Sequence, residues 1–274
     1  MLKRIITSVV GVAILIPILW FSDTYLFVCA MSLVSLIGCF ELMRCIKVHK
    51  NYFLSIPQYL LAIAMPILIR LGQGSTVYFK AIIFAHVVYL LYLFAVAVFS
   101  HGKTKVSEIA MTFALCLYIN IGFSSIILLR DYESAGVYLF LLTFIGAWMT
   151  DIFAYFCGLA FGRHKLIPDV SPKKTIEGSI GGIIFCAIGY MVYGLVVSRV
   201  FSVEMNIIAL GIFGLIISVV AQIGDLSASL IKREYDVKDY GALFPGHGGV
   251  LDRFDSVIAV SCVLMVLVYS YNIV

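Results

Sequence analysis

Ala81-Ile82-Ile83-Phe84-Ala85-His86-Val87-Val88-Tyr89-Leu90-Leu91-Tyr92-Leu93-Phe94-Ala95-Val96-Ala97-Val98-Phe99 carries no Asp, Glu, Lys or Arg. Wound as a helix, an apolar run of about 20 residues spans a hydrocarbon core of roughly 30 Å. The run is continuous, without the period-two alternation of a lipid-facing strand, so a helix is expected and a barrel is not. Comparable runs place spans at 5–21, 25–43, 54–70, 77–99, 108–129, 137–160, 179–198, 206–230 and 256–272. The fold class is therefore an all-α polytopic membrane protein of about nine transmembrane helices. Composition agrees: 62% of the 274 residues are hydrophobic and 12% charged, with a mean hydropathy of +1.08. A soluble domain runs near half apolar and about a quarter charged, so the surplus here must face lipid.

Lys3 and Arg4 precede the first apolar stretch as in a secretory signal, but Trp20-Phe21-Ser22-Asp23-Thr24 offers no small-x-small cleavage site. The segment reads as an uncleaved first helix. With the N-terminus cytoplasmic, fifteen of the nineteen Lys and Arg fall in inner segments. Only Arg70, Lys80, Arg130 and Arg199 fall outside. That positive-inside bias sets an inner N-terminus and an outer C-terminus for an odd number of spans. The seven cysteines (29, 39, 45, 116, 157, 186 and 262) form no CxxC pair and read as small apolar packing residues.

Most loops are short, and the two longer inner ones, 161–178 and 231–255, hold Gly, Pro and charge. In a chain this sparing with polar residues, function is expected there. Residues 1–130 read as a transmembrane scaffold and 131–274 as the catalytic region, a functional boundary rather than two folding domains.

Carboxylates inside apolar runs carry the sharper signal. An acid at a helix centre costs about 2.5–3.5 kcal/mol on insertion scales, less toward an end. Asp225 follows Val219-Val220-Ala221-Gln222-Ile223-Gly224, and Asp225, Ser229 and Lys232 share one helical face at i, i+4 and i+7. This stripe suits a metal-type oxygen, a hydroxyl and a cation, or else a helix-end acid paired with a base. Asp151 in Trp148-Met149-Thr150-Asp151-Ile152 is either an interhelical partner or a direct participant. Gly158-x-x-x-Gly162 reads as close helix packing. Asp252 and Asp255 flank Arg253 at the start of the last span. Such hard oxygens suit Mg²⁺, which takes one or two carboxylates and leaves the rest of its shell to phosphate and water. Asp225 and Asp252 are the expected pair.

In Pro168-Asp169-Val170-Ser171-Pro172-Lys173-Lys174-Thr175-Ile176-Glu177-Gly178, Ser171 reads as an N-cap and Pro172 as the first helical residue. Lys173 and Lys174 would then sit at a helix N-terminus, an anion site, although paired lysines beside a span also serve orientation. The second loop contains Pro245-Gly246-His247-Gly248-Gly249, which cannot be regular helix and lets backbone N–H groups approach an anion. Flanking cations and downstream carboxylates make up the parts of phosphoryl chemistry. His247 could be a general acid, a phosphate contact or a turn residue. GxxxxGK[ST], HExxH and GxSxG are absent, which removes support for a Walker A ATPase, zinc proteolysis and serine hydrolysis.

Together these segments closely resemble the phosphatidate cytidylyltransferases (CDP-diacylglycerol synthases). That family's pattern runs Ser-x-x-Lys-Arg, four residues, Lys-Asp-x-Gly, then His-Gly-Gly-x-x-Asp-Arg-x-Asp. Here it is met by Ser229, Lys232, Arg233, Lys238, Asp239, Gly241, His247, Gly248, Gly249, Asp252, Arg253 and Asp255. Ser-Pro-Lys-Lys-Thr-x-Glu-Gly at 171–178 and Gly-Asp-Leu at 224–226 are similar to the family as well. The motif likeness covers roughly the last 130 residues.

The resemblance implies CTP and phosphatidic acid as substrates, with CDP-diacylglycerol and pyrophosphate as products. It implies Mg²⁺ on Asp225 and Asp252, with room for a second metal ion. Lys173, Lys174, Lys232, Arg233 and Arg253 would neutralise phosphates, and Asp255 would orient Arg253 or bind the metal. Asp225, Asp252, Asp255, Lys232 and Arg233 make up the expected catalytic set. Lys173, Lys174, Ser229, Lys238, Asp239, His247, Gly248, Gly249, Arg253 and Asp151 are the expected substrate contacts. Partners are CTP, phosphatidic acid and bilayer lipid, with no nucleic acid and a homodimer left open. A bacterial inner membrane with the site facing the cytoplasm is the expected location. The alternatives are an ion-coupled transporter, with Asp151 and Asp225 binding the coupling ion, or another membrane lipid phosphotransferase or kinase.

Overall fold

The computed structural model describes residues 2–72, 75–271 and 273, with side chains from 9 onward and without that of residue 79. The side chains of Lys3 and Arg4, counted in the charge bias, lie outside the described residues. Among these residues the chain forms nine helices and one short hairpin. The helices are α1 (Leu2–Trp20), α2 (Tyr25–Cys45), α3 (Tyr52–Leu71), α4 (Thr76–Phe99), α5 (Val106–Arg130), α6 (Gly136–Phe161), α7 (Ile176–Phe201), α8 (Ile207–Glu234) and α9 (Leu251–Ser270). Strands β1 (Lys165–Ile167) and β2 (Ser171–Thr175) pair antiparallel between α6 and α7.

Each of the nine expected spans overlaps one helix, with ends that differ by a few residues. Seven of the described helices, α2 to α8, are long and apolar enough to cross a membrane, and the protein is a polytopic helical membrane protein. Local chemistry sets several of the starts. Thr24 accepts from the N–H of Leu26 before α2, and Asn206 from that of Ala209 before α8, the side-chain caps that satisfy orphan donors at a helix start.

The chain divides into two compact units. One comprises Met1–Leu128 with Val237–Arg253, the other Leu129–Asp236 with Phe254–Val274. The first break falls near residue 128 and the second inside α9, so most of the second loop is in the same unit as the first helices.

In the first unit α2 packs on α3 and α3 on α4, around Phe27, Met31, Leu42, Leu54, Ala62, Leu93, Ile119 and Phe123. At Gly38 of α2 an added Cβ would make only ordinary van der Waals contact with Ile119, Phe123 and Leu251. A buried polar cluster crosses the helices: Ser35 donates to Asn120, and Gln58 to the Cys39 sulfur. In the second unit α6, α7 and α8 pack on one another. Small residues permit the close approach, as at Gly214, where an added Cβ would lie 2.6 Å from the Ala187 backbone. Thr150 donates to Ser218 at 2.9 Å, and Tyr190 to the Leu142 carbonyl at 2.7 Å. Outward-facing Phe84, Val98, Phe99, Leu159 and Ile208 form the surface such a helical protein offers to lipid.

Candidate active site

The first long loop differs from its reading. Ser171 is not a helix N-cap and Pro172 is not a first helical residue: both stand in strand β2, and so do Lys173 and Lys174. Thr175 is the N-cap of α7, accepting the Gly178 N–H at 3.1 Å. Two hydrogen-bonded alternatives competed for this segment, and pairing with β1 (Lys165 opposite Thr175, Ile167 opposite Ser171) prevailed. At the base of the hairpin the Ile176 N–H donates to the His164 carbonyl, and Glu177 accepts from the His164 N–H. Because side chains alternate along a strand, Lys173 is exposed while Lys174 is half-buried and ion-paired with Asp225 of α8. The anion site expected from a helix terminus is therefore carried by strand side chains.

Gly158 and Gly162 do mark close packing, but against the start of α7. A Cβ on Gly158 would meet Thr175 Oγ1 at 2.9 Å. Beside this junction lies a cavity of about 390 Å³, lined by Asp151, Tyr155, Lys173, Lys174, Ser179 and Gln222, with Ala154, Leu159 and Leu166 as apolar wall. Gln222 donates to the Ser179 carbonyl at 3.3 Å. Because α8 stays helical to Glu234, Asp225, Ser229 and Lys232 do share a face. Lys232 and Arg233 occupy its last turn, where a helix favours cations. Asp255, 9% exposed, lies within electrostatic reach of Asp225, Lys232 and Asp151. The second unit thus gathers three of the expected carboxylates with Lys174 and Lys232.

The second loop leaves α8 through Asp236 at φ +56°, a left-handed helix exit. Its turn is closed by Phe244 N–H to the Gly248 carbonyl at 2.9 Å and His247 N–H to the Phe244 carbonyl at 2.8 Å. Gly246 and Gly248 take φ of +80° and +86°, the region that glycine enters without a steric penalty. A cavity of about 570 Å³ is lined by Lys238, Asp239, Gly246, His247, Gly248 and Arg253, among others.

Gly249 does not present its N–H to that cavity. It donates to Asp252 Oδ2 at 2.9 Å, and the same oxygen accepts from the Tyr240 N–H at 2.8 Å. Asp252, only 8% exposed, thereby organises the loop backbone. Two residues that were not read as functional complete this arrangement. Glu41 of α2 accepts the N–H groups of Val250 and Leu251, and Arg44 donates to the Tyr240 carbonyl. The acid-in-an-apolar-run argument applied to Asp151 and Asp225 would also have found Glu41 in Gly38-Cys39-Phe40-Glu41-Leu42.

Among the described residues no three His, Cys, Asp or Glu side chains are grouped closely enough to hold a metal by themselves. The donors present are hard oxygens, suited to a divalent ion that shares its shell with phosphate and water.

Partly exposed cations beside carboxylates, in a helical membrane protein, are the groups that a membrane-embedded enzyme of phosphorylated substrates would need. The sequence matches the cytidylyltransferase family over residues 2–271, and the chain belongs to that family. It is 34% identical over 265 residues to a phosphatidate cytidylyltransferase of Staphylococcus epidermidis, covering 96% of this chain and 97% of that one. It is 35% identical over 269 residues to the phosphatidate cytidylyltransferase of Staphylococcus haemolyticus and 33% over 266 to that of Staphylococcus aureus, with the same coverage. The likeness seen in the C-terminal motifs thus extends through the first half.

Proposed function

We propose that this chain is a phosphatidate cytidylyltransferase of phospholipid biosynthesis, transferring the cytidylyl group of CTP to phosphatidic acid. A phosphate oxygen of the lipid attacks the α-phosphorus of CTP, the bond to the β-phosphate oxygen breaks, and pyrophosphate leaves. The observation that carries this reading is the unbroken Ser229–Asp255 set of cations, carboxylates and glycines, in a chain that aligns nearly end to end with phosphatidate cytidylyltransferases.

The nucleophile arrives with the lipid, so no strongly activated side chain is required. Positioning two polyanions and screening their repulsion is the main task. Lys173 and Lys174, on a strand, and Lys232, Arg233 and Arg253, at helix ends, are held to meet phosphates. Lys238, Asp239, His247 and Gly248 line a polar recess suited to a water-soluble polyphosphate. Asp225 is the carboxylate proposed to hold Mg²⁺; Asp252, expected as its companion, lies in the other compact unit and has its Oδ2 committed to the Tyr240 and Gly249 N–H groups. When bound, the ion neutralises charge on the triphosphate and its leaving group. The Asp225–Lys174 pair, about a quarter exposed on each side, can exchange partners for a cation and a phosphate.

The same proposal places the N-terminus and the catalytic loops on the cytoplasmic side of a bacterial inner membrane, where CTP is found. The charge bias and the bacterial relatives support this. Detergent-purified protein given CTP, phosphatidic acid and Mg²⁺ is expected to release pyrophosphate and form a cytidylylated lipid. Failure to release pyrophosphate from that mixture would falsify the assignment.

A further inference from the structure

We infer that Glu41 of α2, with Arg44 one turn further on, is a positioning residue for the transfer reaction: it holds the Tyr240–Leu251 segment in the form that presents His247, Lys238 and Arg253 to a polyphosphate. The inference rests on the cytidylyl-transfer reading of this loop.

Glu41 is 4% exposed inside an apolar helix, where an acid is expensive unless its oxygens are satisfied. Its Oε1 accepts from the Val250 N–H at 3.1 Å and its Oε2 from the Leu251 N–H at 2.8 Å, residues 209 and 210 positions away. These are donors at the start of α9 that have no partner within their own helix. A carboxylate from another element therefore caps α9. A Cβ on Gly241 or on Gly249 would run into the Glu41 carboxylate, so both glycines admit it. Arg44 Nη2 donates to the Tyr240 carbonyl at 3.0 Å, while Asp252 Oδ2 takes the Tyr240 N–H.

The pattern of what is held and what is left accessible connects this grip to function. The gripped residues Tyr240, Gly249, Val250 and Leu251 are buried. The residues beside them line the cavity. A loop needing only stability could be closed by apolar contacts. Here two buried carboxylates, Glu41 and Asp252, take four backbone N–H groups on either side of the Pro-Gly-His-Gly turn. Such charge-assisted bonds are short and directional, so they fix where the intervening side chains stand.

The test compares full-length wild type, Glu41→Gln and Glu41→Asp in detergent. Steady-state kinetics are measured separately for CTP and phosphatidic acid, with amide hydrogen exchange over 238–252. A glutamine places an NH₂ against one of the two donors. Glu41→Gln is expected to lose protection at Val250 and Leu251 and to lower kcat/KM for CTP by about tenfold or more. Its KM for phosphatidic acid should stay near that of wild type. Glu41→Asp, which keeps the charge, should recover part of the loss. Faster exchange with unchanged CTP kinetics overturns the inference, as does a lower folded yield whose folded fraction turns over normally. If Glu41→Gln does not fold, Arg44→Gln tests the grip from its exposed side, where the Tyr240 carbonyl loses its donor: faster exchange around Tyr240 with a lower kcat/KM for CTP is expected, and unchanged CTP kinetics overturns the inference. A wild type that releases no pyrophosphate instead condemns the reaction assignment, and the inference with it.

Discussion

The corner around Asp225 and the loop around Asp252 use carboxylates in opposite ways. Asp225 meets a lysine side chain, each partner about a quarter exposed. Asp252 and Glu41 are nearly buried and accept backbone N–H groups. An ion pair that solvent reaches is worth only about 0–1 kcal/mol, so this partly exposed one can be opened by a competing ligand. A buried carboxylate with several N–H donors is strongly committed, and leaving those donors unpaired costs about 1–3 kcal/mol each. An acid inside a membrane protein therefore does not announce one role. The exchangeable acid suits ligand chemistry, and the committed ones shape the loop backbone.

This contrast is most severely tested by Asp225→Asn, which should lower turnover by about a hundredfold or more. Its amide exchange over 238–252 and its folded yield should match wild type. Normal turnover in this variant would remove Asp225 from the chemistry. Asp252→Asn should also lose most activity, but with faster exchange at Tyr240 and Gly249, since an amide replaces the oxygen both N–H groups use. If the exchange map of Asp252→Asn matched that of Asp225→Asn, the distinction between the two acids would fail.

Gly249→Ala presses a methyl group against Glu41. It is expected to destabilise the protein by about 1–3 kcal/mol, read as a lower melting temperature in detergent. Lys174→Ala should raise the apparent KM for a phosphorylated substrate several-fold while changing stability by less than about 1 kcal/mol. A melting point that falls as far as for Gly249→Ala would mark the Lys174–Asp225 pair as structural.

The smallest effects separate helix from strand in the first loop. Thr175→Ala removes the cap of α7 and should cost about 1 kcal/mol. Ser171→Ala, lying in β2, should cost less than about 0.5 kcal/mol. The reverse order in thermal unfolding would restore the helical reading of Ser171 and Pro172.

Much of the architecture was legible because a span is a one-dimensional signal. The run Ala81–Phe99 needs no knowledge of its neighbours to be read as a helix, and the boundaries read for α4 and α6 fall within one residue of those observed. The Asp225, Ser229 and Lys232 stripe was legible for the same reason, since helical periodicity places those residues on one face. The start of α7 was not. Ser-Pro followed by lysines is a sound N-terminal signature, yet Thr175, four residues after Ser171, caps equally well, and the choice lay with pairing to Lys165–Ile167. Glu41 was legible as an acid in an apolar run, but its role was not. Its partners lie 209 and 210 residues away and are backbone N–H groups, which carry no sequence signature.

By itself the sequence determined that this chain lives in a membrane as helices, and which of its segments concentrate cations, carboxylates and glycines. Transfer free energy per residue and short-range periodicity are local quantities, summed along the chain. Tertiary structure alone decided which carboxylate meets a cation and which meets the backbone. That outcome depends on which distant donors are brought to each acid as it is desolvated, and desolvation is a property of the packed protein.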